Sequence, residues 1–188
     1  IGVLLALLGL QGAQSLYQVS RLSGAADDVV ASSRLSVDAR QLWAKFLDTE
    51  QALKAATAFV DAASADDLRK AFATQSAALR SGVTGLQTNA AGDLKQGAKN
   101  VSNKVDAWLA LAAKHVASEG VTELPSYHLL DAARADVDTE ITALVGHSAE
   151  AATATVAASH ALARNAMLWT VGELLARSPW GWCWAGVR

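Results

Sequence analysis

The most constraining feature of the chain is a helical pattern that covers residues 125–176 without interruption. Apolar and small residues recur there at steps of three and four, which is the spacing of one face of an α-helix, and no proline follows Pro125 before Pro179. The pattern begins amphipathic and ends nearly apolar, since residues 166–176 carry one charge, Glu173. A helix whose surroundings change in this way is typical of a segment that leaves a water-soluble bundle for a bilayer.

Composition and charge favour an all-α chain and argue against nucleic acid as a partner. The chain has only 2 prolines and is rich in alanine, and its β-branched and aromatic residues do not alternate as strands require. Its 16 Lys and Arg against 18 Asp and Glu give a formal net charge of -2. The basic residues form no cluster of the kind that neutralises phosphates. A chain of this length fits one domain with a sizeable core.

Helix one is predicted over residues 15–62. Its bundle-facing positions are Leu35, Ala39, Leu42, Phe46, Thr49, Leu53, Ala56 and Val60. Upstream, Leu16, Val19, Leu22 and Ala26 also follow helical spacing. The phase of the repeat slips between Val30 and Leu35, and such a slip is tolerated in long helices.

Turn and capping residues divide the rest of the chain into three helices. Ser64 followed by Asp67 predicts a capping box that opens helix two. Gly92 predicts the turn that ends it. Gly120 predicts the end of helix three, and Pro125 suits the first turn of helix four. Asp93 also suits the cap of helix three.

Four amphipathic helices with short connections predict an antiparallel up-down-up-down four-helix bundle. Helices one and four are longer than the inner pair by about 20 residues, which is roughly 30 Å at the helical rise per residue. We therefore expect the first and last helices to extend together beyond the inner turn and toward a membrane.

Both ends of the chain favour a membrane attachment. Residues 1–10, IGVLLALLGL, are wholly apolar but shorter than the about 20 residues of a full span. They fit the outer end of a transmembrane helix, or the apolar region of a signal peptide; the first is favoured because helical spacing continues past Gly12. We predict the end of a first transmembrane helix at 1–14, a periplasmic bundle at 15–166 and the start of a second transmembrane helix at 167–188.

The C-terminal stretch RSPWGWCWAGVR fits that second helix poorly, because Arg177 lies inside what should be an apolar span. Two interpretations stay open. The stretch is either an artefact, such as a shifted reading frame, a cloning remnant or the end of a fragment, or an interfacial belt of Trp180, Trp182 and Trp184. Cys183 is the single cysteine, so no internal disulfide can form.

In its architecture the chain resembles the ligand-binding region of bacterial methyl-accepting chemotaxis proteins of the four-helix-bundle type. The resemblance rests on IGVLLALLGL, the amphipathic bundle, and ARNAMLWTVGELLA as the approach to a second span. It implies a receptor in the inner cell membrane with its bundle in the periplasm, a homodimer, and a small displacement of the last helix that signals to cytoplasmic domains outside this sequence.

Two other functions fit the same pattern. The membrane-flanked bundle is equally compatible with the sensor of a histidine kinase or cyclase. A protein of another class, a phasin-like amphipathic scaffold, would instead lay its alanine-rich helices on an apolar surface. The sequence beyond residue 188 would separate these alternatives.

The sequence gives no sign of catalysis, of a metal site or of a cofactor. The histidines His115, His128, His147 and His160 lack metal-ligand spacing, and we interpret them as solvated or capping residues. No phosphate-binding glycine loop or nucleophile motif is present. We therefore predict that the chain is not an enzyme.

A small-molecule site is expected where polar residues fall on bundle-facing positions. Residues at about one level of the bundle are Thr49, Leu53, Phe72, Gln75, Trp108 and Arg134, of which Thr49, Gln75, Trp108 and Arg134 are the candidate ligand contacts. Arg134 has the fork geometry for a carboxylate and Trp108 a face for stacking. The alternative is that Trp108 fills the core and Arg134 lies in solvent beside Asp131 or Asp138.

The small residues from 148 to 163 suggest how a signal would travel. Side chains of this size bury little apolar area, so we expect the last helix to slide against its neighbours at low cost.

Overall fold

The computed structural model of the protein describes residues 2–57, 62–117 and 127–177. Within these residues it contains four α-helices and no strand: α1 (Gly2–Ala56), α2 (Ala62–Asn89), α3 (Leu94–Ala117) and α4 (Tyr127–Arg177). The all-α prediction is thereby confirmed. The predicted signals at Gly120 and Pro125 lie outside the described residues.

Two helix ends differ from the predicted ones. α1 begins at Gly2, in agreement with the helical spacing that continues past Gly12. It ends at Ala56, where the Thr57 amide donates a last bond of 3.0 Å to the Leu53 carbonyl. α2 begins at Ala62, so Ser64 lies inside the first turn instead of capping it, and the predicted capping box is wrong.

The turn between α2 and α3 follows the prediction. Gly92 has a φ of 52°, a left-handed conformation that glycine adopts without the steric cost of a Cβ. The amides of Leu94 and Lys95 donate to the carbonyls of Ala91 and Gly92 at 3.1 and 3.3 Å. Asp93 directly precedes α3, as its predicted capping role requires.

The chain divides into two compact units. We call Ala31–Ala151 the bundle unit, and Ile1–Val30 with Ala152–Arg188 the terminal unit. The division of α1 after Val30 falls within the stretch where the sequence repeat slips phase, between Val30 and Leu35.

The core of the bundle unit includes Leu35, Leu42 and Phe46, which are predicted bundle-facing positions of helix one. Its least exposed large side chains are Trp108, Phe46, Leu35, Leu42, Leu79, Leu86, Leu109 and Leu144. The rings of Phe46 and Trp108 lie 4.6 Å apart between centroids at an interplanar angle of 57°. This tilted contact joins α1 to α3 in a geometry favoured by aromatic pairs.

Two glycines allow close contact between neighbouring helices. A Cβ on Gly82 of α2 would lie 2.9 Å from Leu42 Cδ1 on α1, and a Cβ on Gly97 of α3 would lie 3.0 Å from Leu144 Cδ1 on α4. Both distances are shorter than van der Waals contact between carbons. The absence of a side chain on these glycines therefore makes room for two core leucines.

Polar contacts fix the register of neighbouring helices in the bundle unit. Asn89 Nδ2 donates to Asp38 Oδ2 at 2.8 Å, and Thr49 Oγ1 lies 3.4 Å from the Gln75 carbonyl oxygen. Residue numbers along α2 therefore fall as those along α1 rise. α3 and α4 show the same order, because Gly97 lies opposite Leu144 while Lys104 pairs with residue 136.

The terminal unit exposes apolar side chains. On α1, Leu16 is 73% exposed and Val19 is 63% exposed, and on α4, Met167 is 74% exposed. Among the described residues, none of the helices combines the length and the apolar character that a bilayer crossing needs. The side chains of the predicted membrane segments lie largely outside the described residues.

Candidate functional site

A small cavity between α1, α3 and α4 is lined by both charged and apolar residues. Its volume is about 50 Å³, and it is lined by Glu50, Leu53, Lys54, Thr57, Trp108, His115, Leu130, Asp131 and Arg134. A buried water needs about 10 to 15 Å³ of such volume, whereas pockets for organic ligands measure about 300 to 1,000 Å³. The cavity therefore has room for water, and an organic ligand requires it to widen.

Glu50 is the centre of the charge network at this cavity. Its Oε1 lies 2.7 Å from Lys54 Nζ, one turn further along α1, and its Oε2 lies 3.0 Å from Arg134 Nε on α4. The Glu50 side chain is 14% exposed, against 42% for Arg134. The network thus joins α1 to α4 through a carboxylate that is mostly removed from water.

The two cations keep Glu50 ionised. Burial raises the pKa of Glu50, but hydrogen bonds from Lys54 and Arg134 and the charges of both residues lower it, and the resulting pKa lies below the ordinary value of 4.5. The carboxylate is therefore negatively charged at neutral pH.

Arg134 has a second neighbour on α1. Its guanidinium carbon lies 5.9 Å from the centre of the Trp43 ring, within the range of a cation–π interaction. Trp43 in turn stacks on Phe46, with ring centroids 5.3 Å apart. Arg134 therefore occupies a defined position on the α1 surface, held by one carboxylate and one aromatic ring.

The structure brings two of the four candidate ligand residues to the cavity. Trp108 and Arg134 line it, together with Leu53. Thr49 is fully buried, and its hydroxyl donates to the Lys45 carbonyl at 2.7 Å. Gln75 meets Thr49 through its backbone carbonyl. Thr49 and Gln75 therefore share a level on α1 and α2 but are not part of the cavity lining.

Burial and pairing limit what the two cavity residues can do. Trp108 is 1% exposed and packs on Phe46. It therefore fills the core, which was the alternative to stacking on a ligand. Arg134 pairs with Glu50 across the helix interface, and not with Asp131 or Asp138 on its own helix as that alternative expected. A ligand that uses Arg134 must therefore compete with Glu50.

His115 is not solvated, whereas a capping role for it in the last turn of α3 stays a prediction. His115 is 4% exposed and lines the cavity from α3. The other three histidines, His128, His147 and His160, are exposed. The burial of His115 agrees with helical spacing, because this residue continues the buried positions Trp108 and Ala112 of α3.

Glu50 is a cavity residue that sequence reasoning missed. It directly follows Thr49, a bundle-facing position, so the periodicity places it at the edge of the helix interface and gives no partner for it. Its role depends on the rotation of α4 against α1, which sequence spacing does not report. Among the described residues, no group of three or more His, Cys, Asp or Glu side chains is placed to bind a metal ion.

Comparison with known proteins adds no family to this description. No protein-family model matches the chain. No curated protein matches it with significant similarity.

Proposed function

We propose that the chain is the extracytoplasmic sensor domain of a transmembrane chemoreceptor of the methyl-accepting type. The observation that carries the proposal is that α4 belongs partly to the bundle unit and partly to the terminal unit. This single helix bears Arg134, the cavity cation bound to Glu50 of α1, and its later residues belong to the terminal unit. A change at the cavity would displace a helix that leads out of the bundle unit.

The topology that a receptor needs is an up-down-up-down bundle whose first and last helices extend toward the membrane. The opposite order of contacts along α1 and α2, and along α3 and α4, supports this connectivity. The lengths of α1 and α4, 55 and 51 residues, against 28 and 24 for α2 and α3, support the extension.

The ligand would bind at the cavity and take over Arg134. A ligand carboxylate could form the two-pronged hydrogen bond that the guanidinium favours, and Glu50 would then keep Lys54 as its partner. Widening of the 50 Å³ cavity would move α4 relative to α1. A ligand that prefers the widened state by about 1 to 3 kcal/mol has the usual strength of coupling between two sites.

The small side chains of α4 would make this movement inexpensive. Ala151 and Thr155 are half-buried and Ala158 is exposed, so they bury little area against neighbouring helices. Leucines at all three positions should hold α4 in one position. Unchanged signalling by such a variant would argue against the sliding of α4.

The terminal unit would supply the dimer and membrane contacts. Its exposed Leu16, Val19 and Met167 offer apolar area to a second copy, and the predicted transmembrane segments at 1–14 and 167–188 would anchor the pair in the inner membrane. Cytoplasmic signalling domains would follow outside this sequence. In the alternative, the same sensor domain would control a histidine kinase or a cyclase.

The test is a screen of small organic acids by thermal shift, followed by signalling from the complete receptor. We expect at least one acid to stabilise the chain and to alter the output of the receptor. Arg134→Gln should abolish both effects, while Arg164→Gln, which changes an exposed α4 cation, should retain them. A ligand whose effects survive Arg134→Gln would show that the site is misplaced.

The exposed apolar residues of the terminal unit also favour the second candidate, a phasin-like scaffold. Such a protein would adsorb to polymer granules or oil droplets, and Leu16→Asp with Met167→Asp would release it. A receptor would instead fractionate with the cell membrane, so fractionation of cells that express the complete gene separates the two functions.

A further inference from the structure

The Glu50 carboxylate is held between two cations at the cavity. Its two oxygens contact Lys54 Nζ at 2.7 Å and Arg134 Nε at 3.0 Å, and its side chain is 14% exposed. By comparison, the ion pair of Lys104 and Asp136 between α3 and α4 has side chains that are 41% and 56% exposed. The Glu50 contacts are therefore more enclosed than this surface ion pair, and Glu50, Lys54 and Arg134 all line the cavity.

The contact between Glu50 and Arg134 uses only part of what the guanidinium can offer. Arg134 contributes one nitrogen, Nε, and one Glu50 oxygen accepts from it, while the other Glu50 oxygen contacts Lys54. A free carboxylate can turn both of its oxygens to the guanidinium in the two-pronged geometry that arginine favours. An external carboxylate can therefore fit Arg134 better than Glu50 does, whereas Glu50 has the advantage of being attached to the same chain.

Arg134 has a further contact that does not depend on Glu50. Its guanidinium carbon lies 5.9 Å from the centre of the Trp43 ring, within the range of a cation–π interaction. Trp43 is half-buried and stacks on Phe46, which is fully buried in the core. An aromatic ring with a fixed position therefore holds the guanidinium as well, and Arg134 should keep its place when the Glu50 carboxylate is removed.

We infer that Glu50 is an internal ligand of the cavity, which occupies Arg134 until an external carboxylate replaces it and so sets the affinity of the site for organic acids. This inference rests on the proposed function, because it concerns the regulation of the same cavity. While Glu50 holds Arg134, an ion pair joins α1 to α4; once a ligand replaces Glu50, that link is lost. A simple carboxylate should fail to displace Glu50, whereas a larger acid with further contacts to the cavity can do so.

The experiment removes the internal ligand and supplies a small carboxylate in solution. The unmodified chain and Glu50→Ala are titrated with acetate at constant ionic strength, and binding is followed by the NMR signals of the Arg134 Nε–H and the Trp43 indole. We expect acetate to bind Glu50→Ala at least about tenfold more tightly than the unmodified chain, the lower end for a hydrogen bond to a charged group. Acetamide, which carries no charge, should bind neither chain.

Matched variants test whether the effect belongs to this contact. Asp131→Ala removes another carboxylate of the cavity lining, which is exposed, and should bind acetate as weakly as the unmodified chain does. Arg134→Gln combined with Glu50→Ala should lose the acetate binding that Glu50→Ala gained. Circular dichroism should show that the variants remain folded; if Glu50→Ala does not, Glu50→Gln removes the charge, keeps the side-chain volume and gives the same comparison.

Two results would overturn the inference. These are equal affinity of acetate for Glu50→Ala and the unmodified chain, and acetate binding that persists in the double variant with Arg134→Gln.

The inference and the proposed function can fail separately. If an organic acid binds the unmodified chain through Arg134 and binds Glu50→Ala no more tightly, Glu50 is not an internal ligand, and the sensor site stands. If acetate binds Glu50→Ala as expected but no acid alters the output of the complete receptor, the internal ligand stands and the receptor function is contradicted.

Discussion

Two parts of the same helix show how differently one sequence pattern can be used. In the bundle unit, α1 buries a face that includes Leu42, which is 1% exposed, and in the terminal unit α1 leaves Leu16 73% exposed. Both leucines belong to runs of apolar residues at helical spacing. The periodicity therefore predicts which face of a helix is apolar, but not whether that face is covered.

The cause of the difference is the number of helices in each unit. α2 and α3 lie wholly within the bundle unit, where Gly82 of α2 lies against Leu42 and Trp108 of α3 packs on Phe46. Of the described helices, only segments of α1 and α4 belong to the terminal unit. Two helices can cover one side of each other and leave the remaining apolar positions in contact with solvent.

The largest expected effect tests the comparison with one substitution in each unit. Leu42→Ala should lower the free energy of unfolding by about 2 to 5 kcal/mol, as for a fully buried leucine. Leu16→Ala should change it by less than about 0.5 kcal/mol, because the side chain already contacts solvent. Urea unfolding of both variants gives the values. A cost for Leu16→Ala comparable to that of Leu42→Ala would show that the terminal unit is covered in solution.

A pair of glycine substitutions should give effects of opposite sign. Gly24 of the terminal unit has no atom within 4 Å of an added Cβ, so Gly24→Ala should stabilise the chain by up to about 1 kcal/mol through helix propensity. Gly82→Ala gains the same propensity but forces Leu42 from its place, at a cost of about 1 to 3 kcal/mol.

We therefore expect thermal unfolding midpoints above the unmodified chain for Gly24→Ala and below it for Gly82→Ala. Stabilisation by Gly82→Ala would mean that Leu42 adjusts without cost, and that the contact between α1 and α2 is looser than the structure indicates.

The smallest expected effect depends on pH. The pKa of Glu50 is lowered on folding, so the folded chain holds this proton less tightly than the unfolded chain does. The resulting stabilisation is complete above the ordinary pKa of 4.5 and is lost as the pH falls through the lower, folded pKa.

Glu50→Gln should therefore destabilise the chain at neutral pH by about 0.5 kcal/mol, because Arg134 is partly exposed, and the loss should shrink in acid. Asp27→Asn, an exposed change of the same kind in the terminal unit, is the matched control. Thermal unfolding from pH 7 to pH 3 measures both. An unchanged difference between Glu50→Gln and the unmodified chain across this range would contradict the assignment.

The sequence predicted the fold well where one face of a helix alternates regularly with solvent. Leu35, Leu42 and Phe46 were expected to face the interior, and all three are buried. The α2 to α3 turn was also predictable, because the left-handed conformation at Gly92 has a local sequence signal. The start of α2 was not, because Ser64 and Asp67 suit the interior of a first turn as well as its cap.

The charged cavity was less predictable than the core. Trp108 and Arg134 were placed at one level by counting residues from the turns, and both line the cavity. The contact of Arg134 with Glu50 depends on how α1 and α4 are rotated about their own axes. Successive residues of an α-helix are about 100° apart around its axis, so a rotation by one residue position moves each side chain by that angle. Periodicity within each helix does not contain this information.

The two glycine contacts also set how closely the helices approach one another. Leu42 fills the space that a side chain on Gly82 would occupy, and Leu144 fills the space that a side chain on Gly97 would occupy. A side chain added at either glycine should therefore push the two helices of that pair apart.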